Sequence, residues 1–205
     1  MLSYIYNVVY DLASSFVYPK SSVDEIIPGL WLGNYKSALD LDFLRNEKID
    51  FVLNCTPNMP FYYETDDCET DRETDRQRDR QQQPQLLETY RIPVNDSLLE
   101  ADFLLMERYF KIVIPLLVRK YAIEKRRILI HCQAGKQRSA IVVAALLKVL
   151  LDKSYITIPE IPRSSADEQY INIYNYILSK RHQTFTYGLR INFEPTFKRF
   201  FKIKM

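Results

Sequence analysis

Short apolar runs alternate with helical repeats along most of the chain. The apolar runs have the length and aliphatic content of buried strands, and they lie at residues 49–54, 90–94 and 127–131. Apolar residues recur at helical spacing between and after them, at residues 35–46, 100–121, 140–151 and 166–181. This alternation predicts an α/β fold with a small, mostly parallel central sheet flanked by helices. Ligands of such sheets bind at the carboxyl ends of the strands, where Cys55, Asp96 and Cys132 stand.

Two prolines refine this prediction. Residues 26–34 contain two short apolar runs around Pro28-Gly29, which predicts two strands joined by a tight turn. Pro115 lies in the middle of the helix predicted at 100–121, and it should kink or split that helix.

The N-terminal segment, residues 1–22, predicts an amphipathic helix, and residues 23–205 are then one domain. Its apolar residues recur every three or four positions, at Leu2, Ile5, Val9, Leu12 and Phe16. We expect this helix to pack on its own domain. Two alternatives are open: it pairs with a second subunit to form a homodimer, or it rests on a membrane. The absence of Lys and Arg from its polar face counts against the membrane.

Residues 64–85 have a different composition from the rest of the chain. They are rich in Asp, Glu, Arg, Gln and Thr and almost lack apolar residues. Such a segment cannot bury enough surface to offset the entropy of ordering, so we predict a disordered insertion. A passive insertion is the favoured interpretation, and a regulatory or docking role stays open.

The composition limits the classes of protein to be considered. With 205 residues, 47% hydrophobic and 26% charged, the chain is typical of a soluble globular domain. A net charge of +2 does not indicate a basic surface for binding nucleic acid. The three cysteines lack the paired spacing of a disulfide scaffold or a zinc site, which favours the cytoplasm or the nucleus. No apolar run reaches the roughly 18 residues of a membrane span.

The strand at 127–131 leads into the segment with the clearest candidate chemistry. Cys132 is followed by five residues and then by Arg138, at the start of the helix predicted at 140–151. Such a loop collects backbone N–H groups where the helix dipole favours an anion, so it suits a phosphate. A cysteine there should have a lowered pKa, and Arg138 can bind two phosphate oxygens. Gly135 permits a positive φ, and Ser139 can donate a hydrogen bond to the sulfur.

This segment resembles the signature of the cysteine-dependent protein phosphatases, which is His-Cys, five residues, then Arg and Ser or Thr. The Ala134-Gly135 pair and Ser139 are similar to the dual-specificity branch, and the resemblance extends over residues 24–63 and 87–200. It implies hydrolysis of phosphotyrosine, and of phosphoserine or phosphothreonine, in phosphorylated proteins through a cysteinyl-phosphate. It implies no metal or cofactor. The substrate-binding residues would be Gln133, Ala134, Gly135, Lys136, Gln137 and Arg138.

The resemblance also implies a general acid. Asp96 follows Ile92-Pro93-Val94-Asn95, and the family carries its acid after a matching segment. Asp102 is the second candidate, although it should lie inside the following helix. The alternative for Asp96 is an aspartate that caps a helix or a turn.

Other residues near the motif leave alternatives open. His131 should orient Cys132 through local hydrogen bonds, and Gln137 replaces the small residue that the family often has before the Arg. Lys136 also occurs in relatives that act on phosphoinositides, so a phosphoinositide or RNA 5′-phosphatase is an alternative function. A catalytically inactive phosphate-binding module is another. Cys55 is either a small buried apolar residue or a thiol that captures an oxidised Cys132 as a disulfide, as in some relatives.

Overall fold

The structure, a computed structural model, describes residues 21–61, 87–162, 164–185 and 192–203. The helix predicted near the N-terminus and the insertion predicted at 64–85 lie outside these residues. The strands of the described segments are β1 Val23–Ile27, β2 Leu30–Gly33, β3 Phe51–Asn54, β4 Glu88–Arg91 and β5 Ile128–His131. The helices are α1 Tyr35–Leu39, α2 Leu41–Asn46, α3 Glu100–Val118, α4 Arg138–Asp152, α5 Ala166–Lys180 and α6 Glu194–Phe200, with a π-helical turn at Arg119–Ile123.

The five strands form one sheet in the order β1-β2-β5-β3-β4. β1 pairs antiparallel with β2 across the Pro28-Gly29 turn, and the other three pairings are parallel. This confirms the predicted α/β class with a mostly parallel sheet. β5 is the central strand, so the segment that follows it leaves the sheet at the middle of its carboxyl edge.

Alternating side chains of the strands pack on two helical layers. Phe51 and Leu53 of β3 belong to the larger core, which includes apolar residues of α3, α4, α5 and α6. Val52, between them, belongs to a smaller core with Ala38 and Leu44 of α1 and α2. Because successive side chains of a strand point to opposite faces, helices cover both sides of the sheet. None of the helices in the described segments is long and apolar enough to cross a membrane.

Two local predictions differ from the structure. The helix predicted at 35–46 is two helices, because Asp40 is extended and its side chain accepts a hydrogen bond from Phe43 N as the N-cap of α2. The strand predicted at 90–94 ends at Arg91, just before the segment that contains Pro93. Pro115 lies inside α3, which continues to Val118 before the π-helical turn at Arg119–Ile123, and the kink expected there stays a prediction.

Candidate functional site

Cys132 follows the last residue of β5 and is buried at the carboxyl edge of the sheet. Two donors converge on its sulfur. Gly135 N and Ser139 Oγ each lie 3.2 Å from Cys132 Sγ. The sulfur thus accepts hydrogen bonds from a backbone amide and from a hydroxyl group.

The signature loop, residues 133–137, is held in shape from outside. Three donors from other parts of the chain each bind one of its carbonyl oxygens. These bonds are Tyr35 N to Gln133 O at 3.3 Å, Arg181 Nε to Gly135 O at 3.0 Å, and Phe185 N to Lys136 O at 2.8 Å. In a trans peptide the following N–H points opposite to the carbonyl. Fixing these three carbonyls therefore also fixes the direction of the amides of Ala134, Lys136 and Gln137.

Gly135 occupies a position that only glycine fits. Its φ is +67°, in the left-handed region that favours glycine. A Cβ atom there would lie 2.6 Å from Gly33 O and 2.7 Å from Arg181 Nη2. The loop is thus packed tightly between the end of β2 and the Arg181 side chain.

Arg181 is the site residue that the sequence analysis missed. It caps the C-terminal end of α5, and its side chain is fully buried. Besides Gly135 O, it contacts Ser21 O at 3.2 Å and forms an ion pair with Asp24. Burial lowers the pKa of Arg181, and Asp24 raises it. An arginine at a helix end carries no sequence signal of burial, so its role depends on the tertiary contact with the loop.

Arg138, the first residue of α4, faces the turn between β4 and α3. Its Nη1 donates to Val94 O at 3.0 Å, and its Nη2 lies 3.3 Å from Asp96 Oδ2. Burial raises the pKa of Asp96 above its ordinary 3.8, while Arg138 acts in the opposite direction and Asp102 adds to the increase. An aspartate that keeps its proton to a higher pH is better suited to donate one.

Asp102 lies in the first turn of α3 and is buried, as the sequence predicts for a residue inside that helix. Its carboxylate accepts hydrogen bonds from Ser97, not from the signature loop. The structure therefore brings Asp96, and not Asp102, into contact with Arg138.

The remaining predicted residues of the loop differ in exposure. Gln133 is exposed, whereas Ala134 and Lys136 are partly exposed. Gln137 is buried, and neither polar atom of its side chain has a hydrogen-bond partner within the described segments.

His131, expected to orient Cys132 through local hydrogen bonds, is buried at the end of β5. Neither ring nitrogen has a partner of normal geometry within the described segments. Burial lowers the pKa of His131 to about 4, against a smaller opposing effect of the Cys132 backbone. The ring is therefore a neutral, packed group behind the loop at neutral pH.

Cys55 is buried at the end of β3, beside the strand that leads to Cys132. Its N–H donates to His131 O at 2.8 Å, and both thiols are free. Burial raises the pKa of Cys55, and the neighbouring Cys132 raises it further.

The segment after Cys55 is held by Arg91. The guanidinium donates to Met59 O at 2.8 Å and to Thr56 O at 3.2 Å, and it lies 4.5 Å from the centre of the Phe61 ring. Arg91 therefore fixes the backbone of the segment that follows Cys55.

Comparisons with known proteins identify the family and the fold of this chain. A family model described as "Dual specificity phosphatase, catalytic domain" matches residues 30–155. Human DUSP28 is similar in structure, with 16% identity, a TM-score of 0.55 and coverage of 88% of this chain and 93% of that chain. OH1 from the Orf virus is also similar in structure, with 17% identity, a TM-score of 0.57 and coverage of 89% of this chain and 87% of that chain. A third similar structure is the human tyrosine phosphatase-like serine/threonine/tyrosine-interacting protein. Its identity is 18% and its TM-score 0.56, with coverage of 88% of this chain and 96% of that chain.

These solved structures share the fold of this chain. The family match covers more than half of the chain, and it includes β5, the signature loop and the turn that carries Asp96. The chain therefore belongs to the family of dual-specificity protein phosphatase catalytic domains.

Proposed function

We propose that this chain hydrolyses phosphate monoesters on protein tyrosine, and on serine or threonine, through a cysteinyl-phosphate. The observation that carries the proposal is the convergence of Gly135 N and Ser139 Oγ on Cys132 Sγ, at 3.2 Å each. Two donors on one sulfur stabilise a thiolate, which is the nucleophilic form.

In the first step Cys132 attacks phosphorus, and the bond to the leaving oxygen breaks. Arg138 binds two of the phosphoryl oxygens through its planar guanidinium, together with amides of the signature loop. Asp96 gives its proton to the leaving oxygen, so that a neutral hydroxyl departs from the substrate.

In the second step water attacks the phosphorus of the cysteinyl-phosphate. Asp96, now ionised, accepts a proton from that water. The sulfur leaves as a thiolate, which the hydrogen bonds from Gly135 N and Ser139 Oγ stabilise. Inorganic phosphate is released, and Asp96 carries a proton again for the next turnover.

A substrate panel tests the proposal. The full chain is assayed on a phosphotyrosine peptide, a phosphothreonine peptide, a phosphoinositide and an RNA 5′-triphosphate. We expect turnover on the peptides and a phosphorylated Cys132 peptide after rapid acid quenching, detected by mass spectrometry. Faster turnover on the lipid or on the RNA would replace the protein substrate by one of those two classes.

Variants separate catalysis from binding. Cys132→Ser should abolish turnover and keep phosphate binding, because Arg138 and the loop amides remain. Arg138→Lys should lose most activity, because an ammonium group cannot make the bidentate contact. Cys55→Ser is the matched control, a buried cysteine outside the loop that should retain turnover.

An inactive module is the remaining alternative. A protein of this fold has the name "tyrosine phosphatase-like" interacting protein, and OH1 is described as a tyrosine phosphatase with triple substrate specificity. Phosphate binding by the wild-type chain without turnover on any member of the panel would refute the enzymatic proposal and leave the binding module.

A further inference from the structure

The turn between β4 and α3 is held by a carboxylate that lies outside the set proposed for catalysis. Ser97, the residue after Asp96, donates two hydrogen bonds to Asp102. Its backbone N lies 3.0 Å from Asp102 Oδ2, and its Oγ donates to the same oxygen. Asp102 is only 6% exposed, so water competes little for this carboxylate.

The backbone next to this contact is strained. Leu98 has a φ of +58°, in the left-handed region that leucine rarely adopts. Such a conformation persists only where the surroundings hold it, and the side chain of Leu98 packs partly against the main core. Leu99, the N-cap of α3, makes no side-chain capping bond. The two bonds from Ser97 to Asp102 therefore join the turn directly to the first turn of α3.

The turn is fixed at both of its ends. Arg138 Nη1 binds Val94 O at 3.0 Å on the β4 side, and Asp102 binds Ser97 on the α3 side. Asp96 lies between these two anchors. Its own carboxylate is 22% exposed, and its Oδ2 lies 3.3 Å from Arg138 Nη2.

We propose that Asp102 is a positioning residue for the reaction. Through Ser97 it fixes the turn that presents the Asp96 carboxyl to the leaving oxygen. This inference rests on the proposed role of Asp96 as the acid. Asp102 itself transfers no proton, because its carboxylate is bound to Ser97 inside the first turn of α3.

A loosened turn should affect one part of catalysis. Proton transfer depends on the position of the acid, and a misplacement of 1 Å can cost up to about 10²-fold in rate. Phosphate binding depends on Arg138 and the signature loop, whereas the carboxylate of Asp102 accepts hydrogen bonds from Ser97. The variants should therefore lower kcat for substrates that need an acid and leave KM nearly unchanged.

The experiment compares two substrates, a phosphotyrosine peptide and an aryl phosphate whose leaving group needs no proton. The readout is the kcat on the phosphotyrosine peptide divided by the kcat on the aryl phosphate. This ratio is measured for the wild type and for Ser97→Ala, Asp102→Ala and Asp102→Asn. We expect Ser97→Ala and Asp102→Ala to reduce the ratio by about 10-fold or more, within the limit set by a 1 Å displacement. Asp102→Asn should restore part of it, because the amide oxygen of Asn can still accept from Ser97.

Two controls distinguish a positioning role from general damage. Ser165→Ala removes a serine cap at the start of α5, where Ser165 Oγ accepts a hydrogen bond from Glu168 N, and it should leave the ratio unchanged. In the Asp96→Asn background, Asp102→Asn should cause no further fall in the ratio, because there is no acid left to position.

Several outcomes overturn the inference. An unchanged ratio in Ser97→Ala and Asp102→Ala would show that the contact does not position the acid. A further fall on adding Asp102→Asn to Asp96→Asn would show that Asp102 donates a proton itself. If Asp96→Asn alone left the ratio unchanged, or the wild type had no turnover, the proposed function would fail first and this inference with it.

Discussion

Arg138 Nη2 lies 3.3 Å from Asp96 Oδ2, so the residue proposed to bind phosphate also contacts the proposed acid. The same guanidinium donates to Val94 O, two residues before Asp96. One side chain therefore links the start of α4 to the turn between β4 and α3. A substrate phosphate that binds Arg138 would compete with Asp96 for the guanidinium and would free the carboxyl near the leaving oxygen.

Asp96→Asn should change both the rate and its pH dependence. We expect kcat on phosphopeptides to fall by about 10²–10⁴, the usual cost of losing acid catalysis, and kcat on an activated aryl phosphate to fall much less. Burial raises the pKa of Asp96 above 3.8, so the acid stays protonated to a higher pH than an exposed aspartate. The fall of kcat with rising pH should follow this group and disappear in Asp96→Asn. A pH profile measured for both proteins checks this, and an unaltered fall in the variant would reject the assignment.

Arg181→Ala should destabilise the fold and weaken phosphate binding. It leaves Asp24 without its partner and Gly135 O without a donor, and breaking a buried pair typically costs about 3–5 kcal/mol. Urea unfolding measures the stability, and competitive inhibition by inorganic phosphate measures the site.

The double variant Arg181→Met with Asp24→Ala is the matched control for that experiment. Replacing both charges removes the unpaired carboxylate, so stability should partly recover. Phosphate affinity should not recover, because Gly135 O still lacks its donor. Recovery of both would mean that Arg181 stabilises the fold and has no effect on the loop.

His131 should make stability depend on pH in the acid range. Its pKa is about 4 in the folded chain and 6.5 as the ordinary value, so between these limits the unfolded chain binds a proton that the folded chain does not. The free energy of unfolding is therefore highest above pH 6.5 and decreases as the pH falls from 6.5 to 4. At pH 4 this decrease amounts to about 3 kcal/mol. Urea unfolding of the wild type and of His131→Gln from pH 7 to pH 4 checks this. Equal slopes in the two proteins would contradict it.

Cys55 should protect Cys132 from irreversible oxidation. The register pairs Asn54 with His131, so Cys55 and Cys132 follow on adjacent strands, which are about 4.8 Å apart in a sheet. That spacing is within the Cα range of a disulfide. Peroxide would oxidise Cys132 to a sulfenic acid, and attack by the Cys55 thiol would release water and form the disulfide.

The test is mass spectrometry after mild peroxide, followed by a reductant. The wild type should give a Cys55–Cys132 peptide and recover activity, whereas Cys55→Ser should proceed to irreversible oxidation. Equal recovery in the two proteins would leave Cys55 as a buried apolar residue. Because burial raises the pKa of Cys55, disulfide formation should be faster at higher pH.

The sequence by itself determined the local architecture around Cys132. The apolar run of β5, the glycine at position 135 and the apolar repeat of α4 lie within 25 residues of one another, so spacing and residue type predict a strand, a loop and a helix. The alternation of apolar runs and helical repeats also predicted the mostly parallel sheet, with Asp96 at its carboxyl edge. The cap at Asp40 and the end of β4 at Arg91 were not predicted.

Only the tertiary structure decided what fixes the shape of the loop and of the turn. The donors to the loop carbonyls come from Tyr35, Arg181 and Phe185, which are far from the loop in the chain. Asp102 could be placed inside α3 from the sequence, but its bonds to Ser97 depend on a left-handed Leu98 that leucine does not predict. Residue type and spacing report what a segment forms by itself. Which carbonyl meets which donor depends on how distant segments pack together, and that was set only when the helices docked on the two faces of the sheet.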